Sequence, residues 1–269
     1  MTSSPNYPPE ALSETDYKHA WQRLGRTGDT AQDAFAAGAI ATCLSQVFIG
    51  AYQAAQRACA ARLSPDRWYA FAVSEDRSGK QPGVTLQEGR LSGTKVWIAS
   101  SDLVDEIILV AGARLPPDAA CWLVPANLPG VTILTRPPAS FLGDMSQGAA
   151  TLREVSTTIL RTTRITGDFG LAEAFHVSCA GLGYVQTLAK QRNDRSLHAD
   201  ASALVPAMTA IAATGFDRDV RSIADFHGRV KALGKSCAAS ATTVVETDDW
   251  RRNGRLLGMY GKALNDRLA

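Results

Sequence analysis

Two changes of texture constrain what this chain can fold into. From about Asp16 to Leu63 the sequence is Ala-rich, spaced for helix and free of Pro, and Ser64-Pro65 closes it. Short segments rich in β-branched and aromatic residues follow: 68–74, 84–90, 94–100, 105–112, 120–125, 130–136 and 156–165. Gly, Pro, Asp and Asn separate them, which is the pattern of antiparallel strands in a sandwich or barrel. In "GVTILTR", Val131 and Ile133 share one face, Thr132 and Leu134 the other. After Gly167 the helical period returns, and Pro206, Gly215 and Gly254 divide the remainder into shorter helices.

Helices, then strands, then helices indicate separate layers rather than βαβ alternation. The expected class is α+β and multidomain: a short N-terminal helical region, a central antiparallel β-barrel or sandwich, and a C-terminal helical bundle. The divisions expected are 1–15 disordered, 16–65 helical, 66–165 β and 166–269 helical. A chain of 269 residues is long enough to bury such a core.

Bulk chemistry removes several classes of function. The net charge is +2 with acids and bases interleaved, so no nucleic-acid footprint exists. Five Cys without paired spacing suit a reducing compartment, and the N-terminus does not read as a signal peptide, so a cytoplasmic location is expected. No charge occurs between Asp33 and Arg57, yet Thr42, Ser45, Gln46, Gln53 and Gln56 interrupt the run. A buried helix over 34–56 is expected there, not a membrane span.

Metal-ligand spacing is absent from the four His and five Cys, and there is no G-x-S-x-G elbow. "HGRVKALGKS" imitates a phosphate loop, but five residues separate Gly228 from Gly234 and no strand precedes it. "GLG" at 181–183 is explained by close helix packing.

Three segments in order carry a resemblance: "YAFAVSEDRSG", "GRLSGTKVWIAS" and "CWLVPANLPGVTI". Together they resemble the β-domain of the acyl-CoA dehydrogenase family over about 65–136, and more weakly to 165. The resemblance implies FAD as cofactor, with Ser74 at the polar edge of the flavin and Trp97 against its ring. It also implies a phosphate contact at Ser78 and an acyl-CoA or related small molecule as substrate. A homo- or hetero-oligomer is implied as the assembly.

The departures are specific. Ala99 stands where the family has a hydroxyl near flavin N5; Ser100 follows, but on a strand it would face the other way. The N-terminal helical region is shorter than the family's. Neither a Gln-x-x-Gly-Gly segment nor the usual C-terminal catalytic Glu is found. Isovaleryl-CoA dehydrogenase and some relatives carry the base on the first helix after the β-domain, and an ungapped match through "LGYVQ" puts Glu173 there. That register leaves Ala199 at a cofactor-binding Arg position, which Arg192 could fill only with a deletion.

Read without the family, Glu173, Val177, Ala180 and Tyr184 form one helical stripe, and Leu171, Phe175, Cys179 and Leu182 another. A helix apolar on two faces is mostly buried, and desolvation would raise the pKa of Glu173. A helix-terminal Glu facing water is the other reading of the same position. Three functional readings remain: a flavin-dependent dehydrogenase of acyl-CoA thioesters, a non-catalytic partner subunit of such an enzyme, and a flavin oxidase or monooxygenase on the same scaffold.

Overall fold

The protein is described from a computed structural model, which covers residues 11–25, 27–60, 62–114, 120–216 and 218–269. The expected disorder over 1–15 falls mostly outside these; within them, Ser13 caps the first helix, α1 (Glu14–Arg23). The uncharged stretch is two helices rather than one, α2 (Thr30–Ala39) and α3 (Leu44–Cys59), broken at 40–43. Asp249 explains the break: its carboxylate accepts the Leu44 N–H at 2.9 Å, capping α3 from more than two hundred residues away. No described helix is long and apolar enough to cross a membrane.

Among the described residues eight strands follow: β1 (Tyr69–Ala72), β2 (Thr85–Gln87), β3 (Arg90–Ala99), β4 (Glu106–Leu109), β5 (Ala120–Pro125), β6 (Val131–Thr135), β7 (Gln147–Ser156) and β8 (Arg161–Arg164). They make two four-stranded sheets, ordered β1-β4-β5-β8 and β2-β3-β7-β6, and among the described residues no barrel closes. One pair departs from the antiparallel expectation, since β1 and β4 run parallel. Strand β7 is central to its sheet but was not among the expected strands. Its start, Gln-Gly-Ala-Ala, has low β-propensity, and pairing with β3 and β6 supplies what propensity does not.

The sheets enclose one apolar core, with Ala70, Ala72, Ile107, Leu109, Leu91 and Leu152 inside. Alternate residues of the same strands, Tyr69, Phe71 and Ile108, face a second core shared with the helices. Period two therefore puts β1 in contact with both cores.

The C-terminal half is α4 (Phe169–Gln191), α5 (Arg195–Ser202), α6 (Val205–Thr214), α7 (Val220–Ala239), α8 (Val244–Asn253), a 3₁₀ turn at Gly254–Gly258, and α9 (Gly261–Asp266). Helix α4 is the central post, buried along most of its length. A Cβ at Gly183 would lie 2.1 Å from the Phe35 carbonyl oxygen, and one at Gly181 would lie 2.7 Å from Leu257 Cδ2. These glycines let α2 and the 3₁₀ turn approach α4, as helix packing required of "GLG".

Candidate functional site

The site lies where α3, the start of α4 and the strand ends meet. Asp168 caps α4, accepting the Gly170 and Leu171 N–H groups at 2.8 and 3.2 Å. Arg267 clamps that cap from the C-terminus with an ion pair at 2.8 Å. The start of α4, which carries Glu173, is thereby capped and tied to α9 through the residue that follows it.

Glu173 is mostly buried, and burial pushes its carboxyl up to about 7, with the Tyr260 hydroxyl offsetting part of the shift. No cation pairs with it among the described residues. Burial raises the neighbouring phenols, Tyr52 on α3 and Tyr260, and the charge of Glu173 adds to the rise. The two differ in commitment. The Tyr52 hydroxyl bridges the backbone of Phe71, donating to the carbonyl and accepting the N–H, each at 3.1 Å. The Tyr260 hydroxyl is buried and lacks a well-formed hydrogen bond among the described residues.

Aromatic rings from α3, the start of α4 and strands β1 and β3 form a wall at the border of the helical and β layers. Phe48 and Tyr52 stack on one another at 5.4 Å, and both meet Trp97 edge-on at 6.2 and 5.9 Å. Phe71 lies 4.6 Å from Phe169, the first residue of α4. Trp97 is half-buried and gives its indole N–H to the Gln147 side chain at 3.2 Å. The register of β3 against β7 shifts between Lys95 and Ile98, so Trp97 occupies a bulge. Bulges re-aim side chains, and this one lies beside the aromatic wall.

The other expected residues lie on the β-side of that wall. Ser74 is exposed just past β1, its carbonyl accepting the Val96 N–H at 2.9 Å. Ser78 is exposed, but its donors are spent: the amide and hydroxyl bond Asp76 at 2.8 and 2.7 Å, and the Gln81 N–H joins the same carboxylate at 3.0 Å. Ala99 ends β3 fully buried. Ser100 is not on the strand, as the alternation argument assumed. Its φ is +54°, and its hydroxyl binds Glu14 at 2.5 Å. Arg192 is held away from this site, donating to the Cys237 carbonyl at 2.9 Å and pairing with Glu246 at 3.1 Å.

The structure thus brings Glu173 and Trp97 to the two sides of one aromatic cluster and leaves Ser78 committed to its own loop. Sequence reasoning missed Tyr52, Phe169 and Tyr260. A signal existed for the first two, aromatic residues at the facing ends of helical stripes. None existed for Tyr260, which is 87 residues from Glu173 in sequence and is placed by the packing of the 3₁₀ turn.

The residues present can meet the ring end of a flavin: Trp97 keeps an open side, and Ser74 presents an exposed hydroxyl at the end of β1. The phosphate end has no free donors at Ser78.

No protein-family profile matches the sequence, and no curated protein does. Solved structures do match. A structure described as PigA with FAD and proline aligns at 13% identity and a TM-score of 0.65, over 96% of this chain and 90% of that one. Butyryl-CoA dehydrogenase from Megasphaera elsdenii aligns at 8% and 0.59, over 94% and 90%. Glutaryl-CoA dehydrogenase from Mycobacterium smegmatis aligns at 14% and 0.54, over 96% and 80%. At such identities the likeness establishes architecture, and the chain has the fold of the acyl-CoA dehydrogenase-like proteins.

Proposed function

We propose that the chain is a flavoprotein of the acyl-CoA dehydrogenase type, with Glu173 as the base that removes the α-proton of an acyl thioester. The observation that carries this reading is the buried, unpaired carboxyl of Glu173, held near pKa 7 between two phenols. A base works best with a pKa close to the operating pH, because it is then both ionised and strong enough to accept. Asp168 with Arg267 holds its helix in place.

A bound FAD supplies the two-electron acceptor for the hydride leaving the β-carbon, so that proton and hydride loss together leave an enoyl thioester. Trp97 and Ser74 are the residues that would hold its ring. In purified protein, Glu173→Gln should keep the flavin spectrum and lose about 10²–10⁴ in turnover with acyl-CoA substrates. Wild-type turnover in that variant rejects the assignment.

A second reading is favoured by a different observation. Ala99 lacks the hydroxyl of the family and is buried, and the Ser78 donors are occupied by Asp76. A partner subunit that completes a site on a longer homologue needs neither group. Colourless, inactive protein that gains flavin and activity on mixing with such a homologue supports this reading. Both readings entail an oligomer, and sedimentation of a monomer at micromolar concentration counts against both.

A further inference from the structure

The stretch that imitates a phosphate loop lies in α7, and its lysines border a cavity of about 280 Å³. That volume lies just under the usual range of small-molecule pockets, about 300–1,000 Å³. Lys231 and Lys235 are one helical turn apart on the same face. Arg255, from the 3₁₀ turn, closes the third side.

All three cations are exposed, and two of them are positioned. The Lys231 stem passes over Gly258, where a Cβ would sit 3.1 Å from its Cε. The Arg255 guanidinium stacks on Phe141, 4.1 Å from the ring centre. Gly234 lies between the lysines, and a Cβ there would meet Leu257 Cδ1 at 2.7 Å. That contact lets Leu257 and Trp250 form an apolar floor.

The charges around the cavity are unbalanced. No carboxylate lines it, and among the described residues none of the three cations makes an ion pair. Carboxylates of the neighbouring elements are engaged elsewhere: Asp225 with Arg229, Asp248 with Arg251, and Asp144 with Arg252. Three like charges around an apolar hollow repel one another, and an anion with a hydrocarbon body relieves both deficits.

We propose that this cavity binds a small amphiphilic anion, a carboxylate or phosphate monoester with a short apolar body, held by Lys231, Lys235 and Arg255 over the Trp250–Leu257 floor. The site is separate from Glu173 and does not depend on the flavoprotein reading.

Titration calorimetry at low salt tests it with four probes of equal chain length: hexanoate, hexyl phosphate, hexanol and hexylammonium. The two anions should bind, and the alcohol and the amine should bind at least ten-fold more weakly. A Lys235→Glu/Arg255→Glu double variant, checked for folding by circular dichroism, should bind the anions at least ten-fold more weakly. Glu173→Gln should bind them as the wild type does. Equal affinity for hexanol, an undiminished affinity in the folded double variant, or loss of binding in Glu173→Gln overturns the proposal.

Discussion

The buried charges of the β-layer and the carboxyl of Glu173 in the helical half are treated in opposite ways. In the β-layer every buried charge is answered. Lys95 is fully buried and donates to Glu75 at 2.7 Å, the Gly112 carbonyl at 2.6 Å and the Val73 carbonyl at 3.2 Å. Burial pulls its pKa down, and Glu75 offsets the pull. Glu106 is held by Arg67 and by both oxygens to Arg161. In the helical half, Glu173 has two phenols and no cation. A satisfied buried charge is part of the architecture, whereas one left unanswered at a cost to stability is a candidate for chemistry.

Removing a partner from the satisfied side should have the largest effect. Lys95→Ala strands the Glu75 carboxylate and two carbonyls, and should cost about 3–5 kcal/mol in denaturant unfolding. A loss under 1 kcal/mol would erase the contrast between the halves.

Glu173→Gln should act in the opposite direction, with a pH signature. The carboxyl ionises near 4.5 when unfolded and near 7 when folded. Between those values the folded state holds the extra proton, so wild-type stability falls as pH rises from 4.5 through 7. The total is on the order of 3 kcal/mol. The Gln variant lacks this slope: it should equal wild type at pH 4 and exceed it at pH 8. Parallel stability curves for the two proteins would place Glu173 in water.

The border between the halves is sharpened by Trp97→Phe. It keeps the edge contacts with Phe48 and Tyr52 but loses the N–H to Gln147, a loss of about 1 kcal/mol in thermal or chemical unfolding. A loss several times larger would make Trp97 a core residue of the helical half rather than a wall between the two.

Smallest is Tyr260→Phe. The hydroxyl holds the Glu173 carboxyl down, so its removal should move the titration further up, followed by ¹³C NMR of labelled glutamate with Glu173→Gln to assign the signal. A downward or absent movement would mean that the hydroxyl does not act on the carboxyl.

Much of this was legible in the sequence. The period changes at Ser64-Pro65 and at Gly167, and the described strands lie between those points and the described α-helices outside them. The two apolar stripes of α4 placed Glu173 in an apolar setting, because helical spacing decides which residues share a face.

Tertiary structure alone decided the rest. Strand β7 exists because β3 and β6 flank it, and α2 and α3 are separate because Asp249 reaches Leu44. Tyr260 meets Glu173, and Arg255 meets the lysines of α7, only through the packing of the 3₁₀ turn. The Ser78 amide and hydroxyl are taken up by Asp76, two residues away. Local periodicity follows from backbone geometry, which each short stretch carries by itself. Partnership between distant side chains follows from burial, which only the folded whole provides.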